Sequence, residues 1–115
     1  MSLAVLYIQQ HDGPDDTIAF NRWNSDTYIV KYTPSDLKGT SYQFYMNLEE
    51  CKKYVYRTLK LLSLDNHPFS HIQLTTRSTP SVLFEIPDLG DSEVRYLIED
   101  ALVAALRVNP KILRE

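Results

Sequence analysis

The segment 47–63 constrains the fold most, because its apolar residues recur at the spacing of a helix. At about 100° per residue, one side of that helix collects Leu48, Cys51, Val55, Leu59 and Leu62. Asn47 is a predicted N-cap. The side chains of Asn47 and Glu50 can each accept a hydrogen bond from the other residue's backbone N–H, as in a capping box. The opposite side is basic, as surface helices often are when that face is simply solvated. The pattern predicts an amphipathic helix that lies on a second layer of structure.

Strand patterns surround this helix. The run 3–9 is apolar at nearly every position, which is typical of a strand covered on both faces or along a protected edge. Alternating or apolar runs follow at 17–23, 27–33, 41–46, 69–76 and 82–86, and a second helix is predicted from about residue 91 to 108. Residues 1–110 are therefore predicted to form one α+β domain, with 111–115 as a C-terminal tail. We expect a single-layer antiparallel meander of five or six strands with both helices on one face, in the order β(β)ββ-α-ββ-α.

The second helix is apolar on more than one side. One broad arc of a helical wheel holds Val94, Leu97, Ile98, Ala101, Leu102, Ala104, Ala105 and Val108, and this arc is predicted to face the sheet. Val103 and Leu106 fall on the far side, beside Tyr96 and Arg107. Apolar side chains there need a cover, which is the first helix, the tail 111–115 or another protein chain. These four residues are our predicted interface.

Composition excludes several classes of protein. The chain has 43% hydrophobic and 23% charged residues, which is typical of a globular domain, and its net charge of −3 implies no particular partner. No apolar run approaches the roughly 18 residues that a membrane span needs. We therefore expect a soluble protein without a membrane partner. One cysteine cannot form an internal disulfide, so we also expect a cytoplasmic location.

No catalytic or cofactor motif stands out. His67 and His71 are separated by Pro68 and lack the further ligands of a metal site, so neither a metal nor another cofactor is predicted. Cys51 lies on the apolar side of the first helix and is expected in the core. Asp15 and Asp16 are expected to be solvated residues of a Gly-Pro turn. An enzyme is unsupported by these patterns, although they do not exclude one.

The function indicated by these features is binding. We predict a small intracellular protein–protein interaction or assembly module, either a homodimer or a subunit that binds another protein in a larger assembly. Its contacts are predicted on the outer side of the second helix and at a sheet edge. The alternative is a nucleic-acid-binding domain that uses the basic face of the first helix, with contacts from Lys52, Lys53, Arg57 and Lys60 beside two tyrosines. A third hypothesis is a small-molecule pocket between sheet and helices, lined by tyrosines.

Overall fold

The computed structural model describes residues 2–10, 13–35, 40–64, 69–77 and 81–107. Its elements are β1 (Ala4–Gln10), β2 (Asp16–Arg22), β3 (Tyr28–Thr33), β4 (Tyr42–Met46), α1 (Leu48–Leu64), β5 (Phe69–Thr76), β6 (Val82–Glu85), a 3₁₀ turn (Ile86–Gly90) and α2 (Ser92–Leu106). Strand and helix boundaries fall within two residues of the predicted ones. The predicted tail, 111–115, lies outside the described residues.

The six strands form one antiparallel sheet in the order β4-β3-β2-β1-β5-β6. β1 to β4 make a meander, and α1 then carries the chain back across the sheet so that β5 pairs with the free side of β1. Leu6 in β1 consequently lies between Ile18 of β2 and Leu74 of β5. The predicted α+β fold with two helices is confirmed.

The core lies between one face of the sheet and the two helices. Alternate residues of the inner strands are buried there, among them Leu6, Phe20 and Ile72. α1 packs against β3, β4 and the 3₁₀ turn, whereas α2 packs against β1, β2 and β5, and the two helices contact each other. The predicted apolar stripe of α1 is the side that faces this core, since Cys51, Val55, Leu59 and Leu62 are all buried.

The capping box of α1 is confirmed. The backbone N–H of Glu50 donates to Oδ1 of Asn47 at 2.8 Å, and the backbone N–H of Asn47 donates to Oε1 of Glu50 at 3.1 Å. The N–H groups of the first helical turn and of the N-cap residue have no carbonyl partner within the helix, and these two bonds supply partners for one of each. The capping box therefore fixes the start of α1 at Leu48, immediately after β4 in the chain.

The second face of the sheet carries no helix among the described residues. Val5, Tyr7, Ala19 and Ile29 point to this face and are only half-buried, screened by their neighbours within the sheet. The prediction that 3–9 is covered on both faces or lies along a protected edge is therefore wrong, since β1 lies inside the sheet and its outward residues are only half-buried. β1 is apolar because it is a central strand, and central strands of antiparallel sheets can still face water on one side.

The orientation of α2 differs from the predicted one. Leu106 is 0% exposed and Val103 is 7% exposed, whereas Leu97, assigned to the core arc, is 62% exposed. Ala101 and Ala104 of the same arc are also exposed. The buried side is thus rotated by roughly a quarter turn from the predicted arc, at 100° per residue. α2 is apolar around most of its circumference, so its apolar periodicity does not distinguish the side that packs. Ala101 and Ala104 are small and contribute little to burial, so they do not turn their side of α2 toward the sheet.

The C-terminal end of α2 is held to the sheet by polar side chains. Nη2 of Arg22 and the hydroxyl of Tyr28 both donate to the backbone carbonyl of Leu106, each at 2.7 Å. Arg22 also donates to the Tyr28 hydroxyl at 3.0 Å, and its Cζ lies 4.8 Å from the centre of the Tyr28 ring. A cation at this position complements the negative end of the helix dipole. Neighbouring residues of β2 and β3 thereby fix where α2 ends.

Candidate functional site

The predicted helix interface loses its basis in the structure. Val103 and Leu106 are covered by this chain itself, so they offer almost no surface to another protein. Of the predicted covers, this chain itself is the one observed, and the interface predicted at these two residues is therefore wrong. The other two predicted residues, Tyr96 and Arg107, are exposed. Of these, Tyr96 belongs to a groove that the sequence did not reveal.

This groove runs between the outer sides of α1 and α2 and encloses a volume of about 430 Å³. It is lined by Glu49, Lys52, Lys53, Tyr56, Arg57, Tyr96 and Glu99. The rings of Tyr56 and Tyr96 lie 5.9 Å apart across it, inclined at 32°. The guanidinium of Arg95 lies 5.6 Å from the centre of the Tyr56 ring. The groove therefore combines an aromatic pair with several cations.

The cations of the groove differ in how they are engaged. Nζ of Lys52 forms an ion pair with Glu49 at 3.7 Å. Lys53 and Arg57 are exposed and form no ion pair within the described part of the chain. Lys60 is exposed one turn further along α1 and does not line the groove. Three of the four predicted anion contacts thus line the same groove as Tyr96, a residue of the separate interface predicted on the second helix.

A second exposed surface lies at the edge formed by β4. Tyr42, Gln43, Phe44 and Tyr45 are all exposed, and only Met46 is half-buried. Trp23, which follows β2, packs edge-on against Tyr45 with ring centres 5.5 Å apart. Tyr42 and Phe44 contact Tyr32 and Tyr54 on the helix-covered side of the sheet. β4 therefore carries exposed aromatic residues on both of its faces.

Asp16 is buried, which corrects the prediction that it is a solvated turn residue. Its carboxylate accepts hydrogen bonds from the Tyr32 hydroxyl at 3.1 Å and from the backbone N–H of Ser35 at 2.8 Å. An apolar pocket of about 230 Å³ adjoins it, between the sheet and α1, and Tyr32 and Tyr54 are among its lining residues. The pocket agrees in place with our third hypothesis. The Asp16 carboxylate already accepts hydrogen bonds from two groups of the chain. Its burial is therefore explained by its role in holding Ser35 and gives no support for a bound ligand.

The histidines do not assemble a metal site in the described residues. Nε2 of His71 lies 3.8 Å from a carboxylate oxygen of Glu85 on the neighbouring strand β6. His11 and His67 lie outside the described residues. Within the described ranges, no three His, Cys, Asp or Glu side chains are grouped so that they could hold a metal ion.

Cys51 is a core residue, as predicted. Burial, and secondarily the charge of Glu50, raises the pKa of its thiol from 9.0 to about 12. The folded protein therefore holds the thiol protonated at pH 8, where an ordinary cysteine is partly thiolate, and thiolate is the reactive form. We expect Ellman's reagent at pH 8 to leave the native protein unlabelled and to label it stoichiometrically in urea. Rapid labelling without denaturant would contradict the burial of Cys51.

No protein-family model, curated protein or solved structure matches the chain significantly. Neither helix in the described ranges is long and apolar enough to cross a lipid bilayer. Among the described residues, the β4 edge and the groove between the helices are the surfaces where exposed aromatic side chains take part in ring pairs.

Proposed function

We propose that this chain is a protein-interaction module that forms a homodimer by pairing the β4 strands of two copies. The observation that carries the proposal is an exposed, uncharged, aromatic strand at the edge of the sheet. The proposal keeps the predicted assembly function and its predicted sheet edge. It moves the main contact away from α2, whose large apolar residues are already covered by the chain.

An edge strand presents backbone N–H and C=O groups that can pair with another strand. Natural proteins block such edges with charged residues, prolines or bulges. The segment 40–47 contains no charged residue and no proline. The opposite edge, β6, is shorter, carries Glu85 and is followed within two residues by Pro87. β4 is therefore the edge with the fewer features that oppose pairing.

The sequence of β4 favours a second copy as its partner. Antiparallel pairing centred on Phe44 places Tyr42 opposite Met46 of the second copy, and Gln43 opposite Tyr45. No like charges meet in this register, and Phe44 lies opposite Phe44 of the second copy, an aromatic cross-strand pair of the kind that stabilises sheets. The contact is the same patch on both copies, as twofold dimers require. Exposed Trp23 packs on Tyr45 beside this contact, and aromatic residues are enriched in such interfaces.

Light scattering coupled to size exclusion tests this proposal. We expect the wild-type protein to be a dimer and Phe44→Lys to be a monomer, because the substitution places two lysines opposite each other on the twofold axis. Leu83→Lys is the matched control, since Leu83 is exposed on the opposite edge strand and the substitution adds the same charge. Circular dichroism establishes that both variants fold.

Two results would contradict the proposal. One is a wild-type protein that stays monomeric up to about 1 mM, which bounds the dissociation constant above that value. The other is a dimer that survives Phe44→Lys or that is lost in Leu83→Lys, since either would place the contact elsewhere on the molecule.

A further inference from the structure

The basic side of the groove is built on one ridge of α1. Lys53, Arg57 and Lys60 follow one another at intervals of four and three residues, and all are exposed. At a rise of 1.5 Å per residue, this row covers roughly 10 Å along the helix. Lys53 and Arg57 border the groove itself, and neither is engaged by a carboxylate of the described residues. The row can therefore meet more than one phosphate of an extended ligand.

The aromatic side of the groove lies next to this row. One side of Tyr56 is occupied by Arg95 and another by Tyr96. Tyr96 itself is 52% exposed, so its ring has free surface within the groove. Aromatic rings beside a track of cations are the arrangement with which proteins hold single-stranded nucleic acids, since bases stack on the rings and phosphates lie against the cations.

The carboxylates of the groove restrict where an anion can lie. Glu49 is compensated by Lys52, which leaves Glu99 on α2 as the uncompensated carboxylate of the lining. Repulsion from Glu99 favours a phosphate on the α1 side, between Lys53 and Arg57. A carboxylate also accepts hydrogen bonds from exocyclic amino groups of bases. The distribution of charge thus suits a ligand with a phosphate at one end and an amino-bearing base at the other.

We propose that the α1–α2 groove binds a nucleotide unit, with its base stacked on Tyr96 and its phosphate between Lys53 and Arg57. The unit can come from a single-stranded polynucleotide or from a free nucleotide. The continuation of the cationic row to Lys60, outside the groove, favours the polynucleotide. This binding function is separate from pairing at β4, which involves neither groove helix in the strand contact.

Fluorescence anisotropy of a labelled oligodeoxyadenylate of about ten nucleotides tests the proposal at low salt. Each phosphate contact on a single strand contributes a salt exponent of about −0.7, so three cations predict a slope near −2 in a plot of log affinity against log salt. We expect Lys53→Glu to weaken binding roughly tenfold or more at about 50 mM salt. Lys31→Glu, the same charge change at an exposed lysine of β3, should leave the affinity unchanged.

Substitutions of Tyr96 distinguish binding by base stacking from binding by charge attraction alone. Tyr96→Ala is expected to weaken oligonucleotide binding roughly tenfold, whereas Tyr96→Phe, which keeps the ring, should retain it. Adenosine monophosphate as a competitor distinguishes the two sources of the ligand, because effective displacement at equal nucleotide concentration assigns the site to free nucleotides. Weak displacement assigns it to the polynucleotide.

Three results would overturn the inference. The first is the absence of any oligonucleotide binding at low salt. The second is an equal loss in Lys53→Glu and Lys31→Glu, which would reflect net charge alone. The third is unchanged binding in Tyr96→Ala, which would remove the base from the site.

Discussion

Leu106→Ala is expected to lower the free energy of unfolding by about 2–5 kcal/mol, the range for a leucine removed from a packed core. Leu106 is fully buried near the end of α2 and belongs to the cluster formed by the sheet and both helices. Truncation removes apolar contacts and leaves a cavity that the rigid sheet cannot fill. Urea unfolding followed by circular dichroism measures the loss.

Leu97→Ala is the matched control for Leu106→Ala. It is the same substitution in the same helix, but Leu97 is 62% exposed, so we expect a change within about 0.5 kcal/mol. The pair reports which side of α2 packs on the sheet. A larger loss for Leu97→Ala would mean that the arc predicted from the sequence is the buried one, and it would return Val103 and Leu106 to the surface.

Arg22→Met is expected to lower the free energy of unfolding by about 2 kcal/mol, although Met fills a similar volume. The substitution removes the charged donor to the Leu106 carbonyl and to the Tyr28 hydroxyl, and hydrogen bonds from charged groups contribute about 1.5–3 kcal/mol. Tyr28→Phe removes the second donor to that carbonyl and should cost about 1 kcal/mol. Thermal and urea unfolding of the single and double variants measure both terms and their coupling.

The two substitutions are expected to be non-additive, because both side chains donate to one carbonyl oxygen and also contact each other. Lys31→Met on the neighbouring strand is the control for loss of a surface cation, with an expected change within about 0.5 kcal/mol. Strict additivity, or an Arg22→Met variant as stable as the Lys31→Met variant, would show that this cluster does not hold α2.

Local signals made α1 predictable from the sequence. Its buried residues follow a single stripe, most of its cations lie on the opposite side, and Asn47 and Glu50 mark its start. α2 lacks this contrast, because Leu97 and Ala101 compete with Val103 and Leu106 for the buried side. The orientation of a helix that is apolar on several sides is set by how its side chains pack against neighbouring elements, and the sequence of the helix alone does not predict that packing.

The candidate sites depend on contacts between distant parts of the chain. Lys53 and Tyr96 belong to separate helices, and periodicity within either helix says nothing about their meeting. β4 is recognisable as a strand from its alternation, but its place at the edge follows from the return of the chain to β1. The burial of Asp16 likewise requires Tyr32 and Ser35 from another strand and its following loop. The sequence predicts the chemical character of each of these residues, but not which of them lie next to one another in the folded chain.

The pairing of β1 with β5 sets the order in which this protein can fold during synthesis. Leu6 and Leu74 are adjacent in the sheet but 68 positions apart in the chain, from 74 minus 6. The second side of β1 therefore stays without its partner until the ribosome has released β5, and bringing such distant segments together carries a loop-closure cost that slows folding. Until then the nascent meander exposes a second apolar edge at β1, so chaperone capture is expected to concentrate on chains shorter than the end of β5.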